Sequence, residues 1–365
     1  WNATCIECHA TDGRRELNAV LGSQPLETMV AKTTVAEFGI ACEACHGPGA
    51  EHVRANRSPL RRYQLHLSGA ADDTSVKPTR IDGRLASQVC GQCHSTSIQY
   101  QRLGISPPGA PAGAADAGGH GQPYRPGRDL DRTHFVLQPA RNLASQPMQT
   151  ILEADPSALR DSFWSDGMVR VSGREYNGLI DSPCFRATSR DDGPRNRLAG
   201  GHAGQAGNDG HDGNDGRVFS CFSCHTMHKA ENDPRTIREW ADTHQLGAGM
   251  GTDQACLQCH PGVRERLTAH TKHRAESTGS RCYNCHMPYT TYGLLRALRS
   301  HQIESPSVAT SVNTGRPNGC NLCHLDQTLE WTATQLARWN ILVQSGTAML
   351  AQANMVPKAV LQLLR

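Results

Sequence analysis

The sequence is short of what an ordinary globular core is made from. Leu, Ile, Val and Phe together supply 62 of 365 residues, about 17% and below the range in which a chain readily buries a core of its own. Aromatic residues are only 5% of the chain. No apolar run approaches the 18 or more residues that a membrane-spanning helix needs, so no span is expected. The 37 Lys and Arg are scattered, with no basic run and no interleaved aromatics, which excludes a nucleic-acid surface. Something other than aliphatic side chains must supply apolar surface.

What the chain does have is cysteine, 15 in all. Fourteen fall in one pattern, Cys-x-x-Cys-His, repeated at Cys5/Cys8/His9, Cys42/Cys45/His46, Cys90/Cys93/His94, Cys221/Cys224/His225, Cys256/Cys259/His260, Cys282/Cys285/His286 and Cys320/Cys323/His324. We number these motifs 1 to 7. With 18 histidines in the chain, their recurrence after all seven pairs by chance has odds of about one in a billion. A disulfide framework needs no histidine at a fixed offset, a zinc ribbon needs none either, and a thioredoxin-like motif normally occurs once. Covalent haem needs all three residues. Each thiol adds to one porphyrin vinyl group, and the adjacent imidazole then lies under the iron as proximal ligand. Seven covalently bound haem c groups are therefore expected, with Cys184 left over as either a small buried hydrophobe or a sulfur near a haem.

The haems would also supply the missing apolar surface, so the expected fold is mainly α with extensive loops and minimal β, organised around stacked porphyrins. Their propionates would add about −14 to the formal +3, giving an acidic holoprotein.

Spacing of the motifs suggests a tri-haem region over 1–103, a haem-free connection over 104–217, a tetra-haem region over 218–326 and a helical tail over 327–365. Residues 104–128 and 188–217 are rich in Gly with Pro, Ala or Asp, and read as exposed loops. Between them, the alternation Met168, Val169, Arg170, Val171 within 163–185 predicts a small hairpin. In the tail, Asp326 can cap a helix carrying Leu329, Ala333 and Leu336, and a second helix is expected from near Pro357.

Eleven histidines lie outside the motifs. His120, His202 and His211 sit in glycine-rich loops, which leaves eight for seven distal positions, so the count favours two histidines on each iron. His228 follows His225 by three residues and His52 follows His46 by six. Each starts on the proximal side of its own haem, so each is better placed to reach a neighbouring one. His270 and His273 are three apart, on one face if the segment is helical, and can serve two different haems. His301, after the basic helical stretch LLRALRS, and His134, in RDLDRTHFV, complete the favoured candidates, with His66 and His244 behind them. Met287 reads as packing.

The segments GIACEACHGPGAEH (39–52), SPCFRA (182–187), FSCFSCHTMH (219–228), HTKHRAESTGSRCYNCHMP (270–288), RSH (299–301) and GCNLCH (319–324) resemble the multihaem cytochrome superfamily. That superfamily includes the nitrifier tetrahaem cytochromes, hydroxylamine oxidoreductase and pentahaem nitrite reductase. The resemblance covers most of residues 1–326. It implies distal roles for His52, His270, His273 and His301, and haems packed in stacked and perpendicular pairs. The Cys-x-x-Cys-Lys motif of the nitrite reductases is absent.

The expected function is single-electron transfer along closely packed haems, as a shuttle, a subunit of a larger redox assembly, or a filament. Redox proteins or further copies of the chain would be its partners. The alternative is an oxidoreductase acting on a small nitrogen or sulfur compound at one five-coordinate haem. Haem attachment of this kind belongs to the exported side of a membrane, so a periplasmic or extracellular location is expected, with an export signal already removed.

Overall fold

A computed structural model describes residues 5–17, 31–110, 124–189, 218–293 and 295–338. These residues form short helices joined by long loops, with β-structure confined to small ribbons. The chain divides into two compact units, Trp1–Glu304 and Ser305–Arg365.

In the first unit, the helix α1 (Gly83–His94) is a longer regular element whose start is specified by a cap. Asp82 sits at its N-cap and accepts hydrogen bonds from the backbone of Arg84 and Leu85, satisfying donors that a helix start otherwise leaves open. Its residues Ala86, Ser87, Gln88, Val89 and Gly91 are buried, so motif 3, at the C-terminal end of this helix, is anchored in the interior. Helices α2 (Gln146–Ala154), α3 (Glu175–Asp181) and α4 (Pro183–Thr188) follow in the segment between motifs 3 and 4. Ser182 ends α3 and caps α4, its hydroxyl accepting from Phe185 N, and Pro183 takes the first helical position, where a missing N–H costs nothing.

Four two-stranded antiparallel sheets are described. Strand β1 (Ala10–Thr11) pairs with β4 (Glu37–Phe38), and β2 (Arg14–Leu17) with β3 (Ala31–Thr34). Strand β5 (Ser97–Gln99) pairs with β6 (His134–Val136), and β7 (Tyr289–Gly293) with β8 (Arg296–Arg299). Across 163–185 the structure has two isolated bridges, Phe163 to Val169 and Val171 to Tyr292, and then two helices; the first bridge lies in a short antiparallel reversal closed by Trp164 N to Met168 O at 2.8 Å and Arg170 N to Ser162 O at 2.9 Å. The later part of that span follows the helical spacing of Tyr176, Leu179 and Ile180, all of them buried, whose i, i+3, i+4 positions share one face.

The apolar core lies in this motif-free segment. One cluster joins Tyr100, Leu103, Phe135, Met148, Ile151 and Phe163; a second joins Leu130, Val136, Tyr176, Leu179, Ile180 and Phe185. At about 1.5–3 kcal/mol for each fully buried large apolar side chain, these clusters hold the scaffold on which motifs 1, 3 and 4 are arranged.

In the second unit, a helix over Val308–Thr314 ends at Gly315, whose φ of +72° suits glycine. A further helix is described over 329–338. Its cap is Thr328, whose Oγ1 accepts from Trp331 N at 3.2 Å, and Asp326 instead accepts from Gln327 Nε2 in the preceding turn. A hydroxyl placed directly at the N-cap displaces a carboxylate two residues too early. The helix expected from Pro357, like His120, His202, His211 and most of both glycine-rich loops, lies outside the described residues.

Candidate haem-binding sites

Each motif folds as a single tight turn, and the turn itself arranges the chemistry. The histidine N–H bonds the carbonyl of the first cysteine in motifs 1, 4, 5 and 7, at 3.0, 2.9, 2.9 and 2.9 Å. Motifs 2 and 6 are short helices, Cys42–His46 and Cys282–His286. Positions i, i+3 and i+4 of a helical turn lie on one face, so both thiols and the imidazole project to the same side.

The other ring nitrogen is held as metal-binding histidines require. His46 Nδ1 donates to Val76 O at 2.7 Å, His225 Nδ1 to His244 O at 2.9 Å and His286 Nδ1 to Glu304 O at 2.9 Å. Such a bond fixes the ring and its tautomer and leaves Nε2 with its lone pair for a metal. Burial also holds His225, His270 and His301 below the usual histidine range, which keeps these imidazoles neutral.

Three of these proximal rings face a second imidazole. His46 lies opposite His228 at 6.0 Å between centroids, with planes 30° apart. His225 lies opposite His301 at 6.3 Å and 20°, and His286 opposite His270 at 6.2 Å and 10°. An imidazole nitrogen sits about 1.1 Å from its ring centroid and bonds a transition metal at about 2.0–2.1 Å, which sets two trans imidazoles about 6.2–6.4 Å apart. The His225–His301 and His286–His270 separations fall within that span, and His46–His228 lies 0.2 Å below it. Direct ring stacking would bring aromatic centroids closer, or offset them. The donor set thus fits an iron porphyrin on each of these motifs.

Side chains of several motifs reach the surface, among them Cys42 of motif 2 and His94 of motif 3. His9 and His260 are exposed at the ends of their turns. His9 O accepts from Gly39 N at 3.3 Å beside the β1–β4 ribbon. His260 is the N-cap of the helix Pro261–Arg264, with its carbonyl accepting from Val263 N at 3.1 Å. Cys259 and Cys323 are exposed as well, whereas Cys285 is half-buried within the helix Cys282–His286. Cys323 N bonds Cys320 O at 3.1 Å and so closes the turn of motif 7. Motifs 1 and 5 pack inward through the buried Ile6 and Leu257, each one position after the first cysteine, which turns the face carrying the thiols and imidazole outward.

Nowhere among the described residues do three or more His, Cys, Asp or Glu side chains gather as a metal site. His9, His46, His94, His225, His260, His286 and His324, expected as iron ligands, therefore build no metal cage from protein donors alone. A porphyrin occupies four positions on its iron and leaves two axial ones for protein, so opposed pairs of imidazoles are the arrangement such a cofactor selects.

His301 reaches its place because α3 lets it. A Cβ added at Gly178 would come within 2.7 Å of Gln302 N and 3.0 Å of His301 C, both backbone atoms that cannot swing aside. Gly178→Ala is expected to cost about 1–3 kcal/mol by overpacking, measured by denaturant unfolding, and to weaken the His225–His301 pairing. Stability equal to the parent protein would contradict this packing. Gly279 does the same for His273, whose ring occupies the space a Cβ would take.

The remaining candidates are placed differently. His273 Nδ1 donates to Thr271 O at 2.6 Å. His134 sits on β6 opposite Gln99, with Nδ1 at 2.8 Å from Thr133 Oγ1, and burial lowers its pKa to about 4. His52 sits in a polar cluster, 3.1 Å from Asp72 and 3.2 Å from Asn56 through Nδ1. Hydrogen bonds from Thr74, Asn56 and Arg61 hold Asp72 well below the carboxylate range. His324 packs against Trp331 at 4.9 Å.

Motif 3 differs from its neighbours. His94 Nδ1 bonds Glu175 Oε2 at 2.9 Å, a carboxylate where motifs 2, 4 and 6 use a carbonyl. Burial would raise Glu175, but the bond from His94 and a backbone bond outweigh it and leave its pKa at about 2. Nothing local in the sequence marks Glu175, which is 81 residues from its partner.

The motifs also touch one another. Cys8 Sγ lies 3.8 Å from Cys93 O, and Cys93 Sγ lies 4.0 Å from Glu7 O, a reciprocal contact between motifs 1 and 3. Gln92 Nε2 donates to Ala44 O of motif 2 at 2.9 Å. Cys90 and Cys221 are within hydrogen-bond reach of each other, as are Cys256 and Cys282. Cys184, on α4, lies near both Cys259 and Cys224, and burial raises its thiol; a neutral, half-buried thiol packs as a small hydrophobe.

No family model and no curated protein matches this sequence. Among solved structures, the chain is similar to the outer cell wall cytochrome OcwA, with a TM-score of 0.52 and 21% identity over 94% of this chain. It spans 65% of that chain's length. Its short helices, long loops and small two-stranded ribbons share the fold of that cytochrome.

Proposed function

We propose that the chain is a heptahaem c-type cytochrome that carries single electrons, exchanging them with redox proteins or with further copies of itself outside the cytoplasm. The observation that carries this reading is the set of three imidazole pairs at 6.0, 6.2 and 6.3 Å, each joining a motif histidine to one outside the motifs. Two strong axial donors favour a low-spin iron that changes oxidation state with little rearrangement. Bound haem supplies the one-electron iron couple at each motif. The protein fixes each ring through its Nδ1 bond and brings the motifs together through the Cys8–Cys93, Cys90–Cys221 and Cys256–Cys282 contacts. Proximal roles for His9, His94, His260 and His324, with thioether bonds at Cys285, Cys323 and the other motif cysteines, belong to the same proposal. So do distal roles for His52, His134 and His273, and kinship with the nitrifier cytochromes.

The protein purified from an exporting, haem-attaching host is expected to exceed its polypeptide mass by seven haems and to show mainly low-spin ferric signals by electron paramagnetic resonance. A mass equal to the bare chain would end the reading. A second reading, chemistry on a small nitrogen or sulfur compound, is favoured at motif 3 alone. There the carboxylate bond to His94 makes a strongly donating imidazole, suited to pushing electrons toward a bound substrate. Cyanide binding to a high-spin haem that disappears in a His94 variant would support it.

A further inference from the structure

We infer that Glu175 is an anion shared between two neighbouring haem sites, depressing the reduction potential at motif 3 strongly and at motif 4 weakly, so that a potential step lies where the two groups of motifs meet. The inference rests on the haem reading above.

Glu175 is held at both oxygens. Oε1 accepts from Gly173 N at 2.9 Å and Oε2 takes the His94 Nδ1–H at 2.9 Å. A full negative charge draws the Nδ1 proton harder than a neutral carbonyl does, which raises electron density at Nε2 and favours ferric over ferrous iron. Motifs 2, 4 and 6 have only carbonyls in that place, so the effect sets motif 3 apart from these three.

The same carboxylate reaches the next site through space. Glu175 acts electrostatically on His301 and on His225, the two rings of the motif 4 pair. Helix α3 makes this possible, because Glu175 lies at its first turn and Gly178, one turn on, packs against the His301 backbone. Arg174 opposes the charge. Its guanidinium donates to Cys93 O at 2.9 Å and to Gly173 O at 3.0 Å, so the through-space part is partly cancelled while the direct bond to His94 is not. The influence should therefore be unequal.

Position makes the inequality consequential. Motif 3 touches motif 1 through Cys8 and Cys93 and motif 4 through Cys90 and Cys221, so electrons passing between the N-terminal and C-terminal motifs meet its potential. A lowered value there slows transfer onto that site and speeds transfer away from it.

The test is spectroelectrochemical titration of the haem-loaded protein, with haem content checked first. Glu175→Gln should raise one midpoint by at least a tenfold change in the reduction equilibrium, about 59 mV for one electron. It should raise a second by less than a third of that and leave the others in place. Glu175→Asp keeps the charge but withdraws the oxygens from Nδ1, so it should raise the first midpoint and spare the second. It also serves as the test should the glutamine variant accumulate poorly, since the charge near α3 is retained. Unchanged midpoints, or equal shifts at all haems, in a fully loaded variant would overturn the inference and leave the electron-transfer reading intact. A parent protein without haem would defeat that reading instead.

Discussion

Replacing His228 with alanine is expected to convert one low-spin haem to high spin without loss of any haem from the protein. The attachment cysteines are untouched by the change, so haem content should stay at the parent value. The iron on motif 2 would lose the imidazole now 6.0 Å across from His46, and nothing in the immediate chain replaces it. His52 is six residues further along from His46 and is tied through Nδ1 to the Asp72 cluster. A high-spin ferric signal should therefore appear, equivalent to one haem, and cyanide or imidazole added from solution should remove it. A second effect follows from topology. His228 comes from beside motif 4, so its bond to motif 2 clips together parts of the chain 182 residues apart in sequence, and removing it loosens that link. His66→Ala, on the exposed helix Pro59–Ser68, makes a control in which neither effect is expected. A His228→Ala spectrum identical to that of the parent would show that the His46–His228 pair does not straddle an iron.

The contrast between motif and partner explains how far the sequence could be read. The attachment residues are local, since a covalent bond to two vinyl groups requires two thiols and an imidazole within five residues, and any chain that binds haem this way must show it. The number of motifs and the side of the turn their residues occupy follow directly. Distal partners obey no such rule. His46 with His228 and His225 with His301 are brought together by tertiary structure, and the sequence reading could argue that His228 reaches beyond its own haem without saying which neighbour it meets. Glu175 was wholly hidden. A glutamate in SGREYNG has no local signature of a histidine partner, and its role depends on α3 packing beside α1.

Secondary structure was legible where capping and spacing agreed and not where they conflicted. Across 163–185, the alternation at 168–171 was legible as a small hairpin, but the helices that follow it rest on Gly173, Gly178 and the Ser182–Pro183 step, which carry no such pattern. Gly178 allows close approach of the His301 backbone, and Ser182–Pro183 restarts the chain as α4. A glycine required by packing looks the same in sequence as a glycine required by a turn. The low aliphatic content pointed to porphyrin as the main apolar filling, yet the described chain also builds two side-chain clusters from residues 98–185. Average composition cannot show that the apolar residues are concentrated in one segment.

That concentration gives the largest expected effect of all. The double variant Cys90→Ala, Cys93→Ala should fail to reach the native fold of the Trp1–Glu304 unit, whereas Cys42→Ala, Cys45→Ala should fold with one haem fewer. A porphyrin face of about 300 Å² withdrawn from water is worth about 8 kcal/mol at 25 cal/mol per Å², which rivals the whole stability of a typical domain, about 5–15 kcal/mol. What decides between the two motifs is how much else leans on each. The helix Cys42–His46 buries none of its residues, so its loss is local. Motif 3 ends α1, which buries five, and its turn meets motif 1 at Cys8, motif 2 at Ala44 and the Arg174 guanidinium at Cys93 O. Tyr176 packs against Gly91 so closely that an added Cβ would lie 2.9 Å from the ring, which couples the attachment turn to the second apolar cluster. Loss of the haem there would release the tether at the point where attachment turns and side-chain core share contacts, and the cost would spread through both. Soluble yield, haem content and limited proteolysis of the two variants measure the difference. Equal resistance to protease in both would mean that motif 3 is no more central to the fold than motif 2.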